Sequence, residues 1–154
     1  MIRIRILILC YIISSFFVQA HAQSNSKFNK ALADSLGADE YGMKKYVLVI
    51  LKTGEVTITD QHVKDSIFAG HMANIVRLAG LGKLTVAGPL EKNDHNYRGI
   101  FIFNVATVEE AQSLVQTDPA VISKVLAAEM YPWYGSAALP MYLKYHDEVK
   151  SKDF

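Results

Sequence analysis

Cysteine is nearly missing from this chain of 154 residues: the single one, Cys10, lies inside an apolar run near the start. One thiol cannot close a disulfide within the chain or supply the paired thiolates of a structural zinc site. An excess of charge of one sign is missing too. Sixteen Lys and Arg against fifteen Asp and Glu leave a net charge of +1, neither the basic footprint of a nucleic-acid binder nor an acidic tail. No Gly-rich phosphate loop and no G-x-S-x-G elbow occur, which argues against nucleotide chemistry and serine hydrolysis. His62, His71, His95 and His146 lack the H-E-x-x-H spacing and a Cys partner, so no metal is expected.

A spanning segment is also lacking. The apolar run Ile6 to Val18 is shorter than the roughly 20 residues a membrane helix needs, and Ser14 and Ser15 interrupt it. Arg3 and Arg5 precede the run and Ala20-His21-Ala22 follows it, the order of a signal peptide over residues 1–22. Leu9 stands before Cys10, where a lipid-attachment site wants a small residue. The expectation is an exported protein, periplasmic or secreted, that starts at Gln23, carries no membrane segment and has no cysteine. Losing Arg3 and Arg5 takes its net charge to −1.

What is present reads as a polar spacer over 23–43, one domain over 44–139 and a tail over 140–154 that no pattern places. Lys45 to Leu51 is a strand, apolar at odd and even positions alike. A helix follows over Lys64 to Leu81, with Phe68, Met72, Ile75 and Ala79 as its apolar stripe and Gly80 and Gly82 as its stop. His71 sits at the rim of that stripe. Leu84 to Gly88 is a second strand and Gly99 to Val105 a third, again apolar on both faces. Thr107 with Glu110 three residues on makes a capping box for a helix to about Gln116. Asp118-Pro119 then opens a short helical turn that Asp118 can cap, and Ala127 to Tyr134 is the last strand, which Pro132 places at an edge or near its end.

This order, βαββαβ, predicts an α+β, ferredoxin-like antiparallel sheet with helices on one face. Strands apolar on both sides need a cover on the second face, and a second copy of the sheet supplies one, making a homodimer.

The residues His71, Gly82, Leu84, Ala87-Gly88-Pro89, Gly99, Glu110-Ala111, Asp118-Pro119 and Pro132-Trp133 together resemble the YCII-related family over roughly 44–139. Its members form dimeric α/β barrels from two ferredoxin-like units. The resemblance implies a small-molecule site in a cleft beside the sheet, with the helical histidine and the aspartate of the DP turn as a catalytic pair, here His71 and Asp118. The family includes a dehydrochlorinase acting on a chlorinated hydroxyquinol and is related to muconolactone isomerases. Some relatives carry an arginine about three residues before the histidine, where this chain has Phe68.

Two functions follow as expectations. One is a cofactor-independent lyase or isomerase in which His71, oriented by Asp118, moves a proton on a small cyclic or carbonyl substrate. The alternative is a non-catalytic ligand-binding or interaction module of the same fold. Gly88, Pro89, Trp133 and Tyr134 are the further ligand-contact candidates. The two aromatics read equally as packing at a dimer interface.

Overall fold

The computed structural model describes residues 25–152. The signal-peptide reading of residues 1–22 falls outside them. Two compact units emerge, 1–30 and 31–154. In the described part of the first, the Asn25 carbonyl accepts the Phe28 N–H and its side chain the Lys27 N–H, closing one turn.

A short helix, α1 (Lys30–Leu36), ends at Gly37, whose positive φ of 69° suits only glycine without strain. The second unit then runs β1 (Met43–Thr53), α2 (Gln61–Gly80), β2 (Leu84–Pro89), β3 (Tyr97–Phe103), α3 (Val108–Val115), α4 (Pro119–Ile122) and β4 (Leu126–Ser136). A 3₁₀ turn at Leu139–Tyr142 and α5 (Leu143–Val149) close it. The four strands form one antiparallel sheet in the order β2-β3-β1-β4, with the helices packed on one face. That is the ferredoxin-like α+β layout expected from the element order. Among the described residues no helix is long and apolar enough to cross a membrane.

The core lies between sheet and helices. Val47, Val49 and Leu51 of β1, Phe101 and Phe103 of β3, Leu84 of β2 and Leu126 of β4 meet Leu78 of α2, Ala111 and Val115 of α3 and Ala120 of α4. Each large side chain buried this way is worth about 1.5–3 kcal/mol. On the other face Leu48, Ile50, Ile100 and Ile102 are only half-buried, and Ile50 stands directly opposite Ile100. Tyr46, also on that face, is fully buried: its ring packs on Trp133 at 5.4 Å and its hydroxyl donates to the Ser136 carbonyl at 2.8 Å. The segment after β4, which no sequence pattern places, is tied to the far edge of the sheet, because the Tyr142 hydroxyl donates to the Thr85 carbonyl of β2.

Boundaries differ from the sequence reading where a cap decides them. Helix α2 starts at Gln61 rather than Lys64, since the Asp60 carboxylate accepts the Val63 N–H at 3.2 Å. Its stop belongs to Gly82 alone, at φ +67°, where the Lys83 N–H reaches Leu78 and the Gly82 N–H reaches Ala79; Gly80 remains helical. The capping box of α3 is half formed. Thr107 accepts the Glu110 N–H at 3.2 Å, but the Glu110 carboxylate turns instead to Lys83 at 2.9 Å. Pro132 sits on the edge strand β4, where its missing N–H disturbs no second ladder.

Candidate functional site

The face of α2 that reaches deepest is not its most apolar one. His71, Asn74 and Leu78 are the buried residues, while Phe68, Met72, Ile75 and Ala79 flank them half-buried. His71 is thus at the centre of the buried face and not at its rim. Apolar periodicity misses this because buried polar residues sit there with partners supplied by another element.

The partner of His71 is Asp118. Nδ1 and the carboxylate Oδ2 are 2.7 Å apart, and Asp118 is fully buried. A carboxylate only accepts, so Nδ1 donates in this bond, and Nε2 is the nitrogen left to offer a lone pair to a substrate. The other carboxylate oxygen, Oδ1, accepts the Ala120 N–H at 2.9 Å, which is the N-cap of α4. Capping and pairing therefore coexist on one side chain. Held at both oxygens, the carboxylate cannot rotate away from the ring.

Among the described residues Nε2 has no hydrogen-bond partner, and no buried polar side-chain atom is left without one. Nε2 therefore reaches the surface, through the 11 % of the His71 side chain that stays accessible. Phe101 stacks on the ring from the sheet side at 6.0 Å, and Phe68 meets it edge-on at 6.0 Å. The arrangement is a fixed imidazole with apolar walls and one outward basic nitrogen, a geometry suited to moving a proton.

Gly88 and Pro89 fall near this point. Ala87 pairs with Phe101, the residue under His71, and Gly88 and Pro89 occupy the next two positions of β2, opposite Ile100 and Gly99. Gly99 has a packing duty of its own: a Cβ there would meet the Gly88 carbonyl oxygen at 2.8 Å.

Trp133 and Tyr134 lie away from His71. Trp133 covers Tyr46 on the sheet face away from the helices. Tyr134 is four residues along β4 from Met130, the residue in line with Val49 and Phe101, hence about 13 Å along the strand and two strands across. Its hydroxyl bonds the Asp39 carboxylate, and that bond pushes its pKa up to about 12. The opposite end of the open face carries Lys52 and Glu129 at 2.7 Å. Their hydrogen bond raises the lysine and lowers the glutamate.

Residues that sequence reasoning did not find are Asn74, Arg77 and Thr117. Arg77 Nη2 donates to Asn74 Oδ1 at 2.7 Å and to Thr117 Oγ1 at 2.8 Å, and the single Thr117 hydroxyl proton is shared between the Leu114 carbonyl at 2.7 Å and Asn74 Oδ1 at 3.1 Å. The available signal was spacing: Asn74 follows His71 by three residues, and Thr117 adjoins Asp118. Among the described residues no three His, Cys, Asp or Glu gather as a metal site.

Comparison with known proteins adds two findings. The family described as the YCII-related domain matches residues 45–133, more than half of the chain. Among solved structures, the 5-chloro-2-hydroxyhydroquinone dehydrochlorinase TftG from Burkholderia phenoliruptrix, in complex with 2,5-dihydroxybenzoquinone, is 21% identical. The match covers 56% of this chain and 92% of that one, at a TM-score of 0.41. No curated protein matches the chain.

Proposed function

The chain belongs to the YCII-related family, and from that premise we propose that it is a cofactor-independent lyase or isomerase acting on a small cyclic or carbonyl compound. One observation carries the reading: the 2.7 Å bond from His71 Nδ1 to a carboxylate anchored at its other oxygen, with Nε2 facing outward. In the proposed step Nε2 takes a proton from a carbon beside a carbonyl, and the C–H electron pair moves into a C=C bond as the carbonyl oxygen becomes an enolate. For an isomerisation the imidazolium returns the proton at a second carbon. For an elimination the electrons re-form the carbonyl or shift along the ring, and a leaving group on the neighbouring carbon departs with its bonding pair. The Asp118 carboxylate, hydrogen-bonded at Nδ1, stabilises the imidazolium. A positioned base of this kind contributes about 10²–10⁴-fold.

Two further features complete the proposal. The half-buried residues Leu48, Ile50, Ile100 and Ile102 make an apolar sheet face of the kind a second copy covers, so the working form is a homodimer closing an α/β barrel. The Arg3, Arg5 and Ala20-His21-Ala22 pattern supports export, with Gln23 as the first residue of the mature chain.

The test uses a panel of small cyclic ketones, diones and phenols in heavy water, with solvent exchange of their C–H protons followed by NMR. His71→Gln keeps a donor toward Asp118 and removes the base. Exchange of at least one probe is expected to be faster with the wild type and about 10²-fold slower with His71→Gln. Equal rates for the two proteins across the panel would overturn the reading and leave the non-catalytic binding module.

A further inference from the structure

Three consecutive residues where the chain turns into α4 meet one face of α2: Thr117 lies on Asn74, the N-cap Asp118 on His71 and Pro119, the first residue of α4, on Gly70. The two outer contacts have different physics. At Gly70 there is no room for a side chain, because an added Cβ would stand 2.9 Å from Pro119 Cγ and 3.4 Å from Pro119 Cβ. A proline ring cannot swing aside as a flexible chain end does. Gly70 is ordinary helix, so no backbone need explains it, and glycine is a poorer helix former there than alanine. At Asn74 the contact is polar: Oδ1 accepts from Arg77 and from Thr117, and Asn74 is buried.

We infer that Gly70 and Asn74 are positioning residues which clasp the Thr117–Pro119 turn from either side and so set the His71–Asp118 bond. The polar contact fixes the turn along the helix axis, and the glycine sets how close it approaches. Asp118 sits between the two, and a 2.7 Å bond to a buried carboxylate tolerates little displacement of either. Gly70 adjoins His71 and Pro119 adjoins Asp118, so a shift forced at that contact is transmitted to the bond by one peptide unit on each side. The inference gives the proposed proton-transfer site its geometric control and rests on that reading for its functional meaning.

The hydrogen bond itself is observable without substrate, which separates this inference from the assignment of activity. The Nδ1–H proton of His71, assigned by its disappearance in His71→Gln, is followed by NMR, and its exchange with solvent is measured at neutral pH. Gly70→Ala is expected to keep or raise helix content while making that exchange about tenfold faster. Gly70→Ala combined with Pro119→Ala removes the crowding atom and is expected to bring exchange back toward the wild-type rate. Asn74→Leu is expected to speed exchange similarly, whereas Asn74→Asp keeps an acceptor for Arg77 and Thr117 and retains the slow rate. Thr117→Val, at an exposed position, makes the same polar test where Asn74→Leu does not fold. A purely structural role would lower thermal stability and leave the exchange of this one proton unchanged. Wild-type exchange in Gly70→Ala and in Asn74→Leu or Thr117→Val would overturn the clasp, whatever the C–H exchange experiment returns.

Discussion

His71 and Asp118 are 47 positions apart in the chain and 2.7 Å apart in the fold. The carboxylate that meets the ring also caps α4 through Ala120, so one side chain joins the local geometry of a turn to the chemistry of a helix 47 residues away.

That double duty makes Asp118→Asn informative. The asparagine oxygen can still accept the Ala120 N–H, but its NH₂ now faces Nδ1 as a donor and moves the ring proton to Nε2. Denaturant unfolding is expected to show a loss of about 1 kcal/mol for Asn and about 2–3 kcal/mol for Asp118→Ala, which loses cap and pair together. Nitrogen NMR of the imidazole should show the tautomer exchanged in the Asn variant. Equal losses for Asn and Ala would mean that the cap contributes nothing.

The open sheet face gives a second expectation. Light scattering at micromolar concentration should return twice the mature mass for the wild type, and the monomer mass for Ile50→Lys. Ile50 faces Ile100 across the strand pair, so the lysine places a charge in the middle of the apolar face. A monomeric wild type would remove the barrel from the proposal.

Alkaline titration checks the Tyr134–Asp39 contact. The hydrogen bond to Asp39 raises the phenol from its ordinary 10.0 to about 12, so the folded state holds that proton more tightly than the unfolded one. Its contribution to stability is complete below the unfolded value and is lost as pH rises through the folded one. Asp39 behaves oppositely: its carboxyl is held below 3.8, chiefly by the same bond, and its contribution fades as pH falls below that value. Phenolate absorbance should show a tyrosine ionising near 12 that disappears in Tyr134→Phe.

The start of α3 separates a cap from a surface ion pair. Thr107→Ala should cost about 1 kcal/mol, because the Glu110 N–H loses its acceptor. Glu110→Gln breaks the bridge to Lys83, whose partners are each 44% exposed, and should change stability by less than about 0.5 kcal/mol. Chemical denaturation of the two variants side by side decides it. A larger effect at Glu110 would reverse the ranking.

Element order was legible in the sequence because its signals are local. Lys45 to Leu51 and Gly99 to Val105 carry β-branched and aromatic residues, Thr107 is a cap three residues before Glu110, and Gly82 closes a helix through the one backbone conformation that favours it. Each depends on sterics or hydrogen bonds within about one turn of chain. The missed start of α2 is an unread signal of the same kind, since the Asp60 cap lies in plain sequence. His71 stood out as a candidate, and the resemblance supplied Asp118, but periodicity placed His71 at the rim of the helix stripe.

The sequence by itself determined the βαββαβ order, the caps that open α3 and α4, and His71 within the long helix. Only the tertiary structure decided that this face is polar at its centre, that Thr117, Asp118 and Pro119 fall on Asn74, His71 and Gly70, and that Trp133 belongs to the opposite side of the sheet. The reason is physical: a buried polar group is tolerable only when a partner arrives from another element, and in a one-dimensional pattern such a residue looks as though it belongs in water. Chain packing supplied the partners from more than forty residues away.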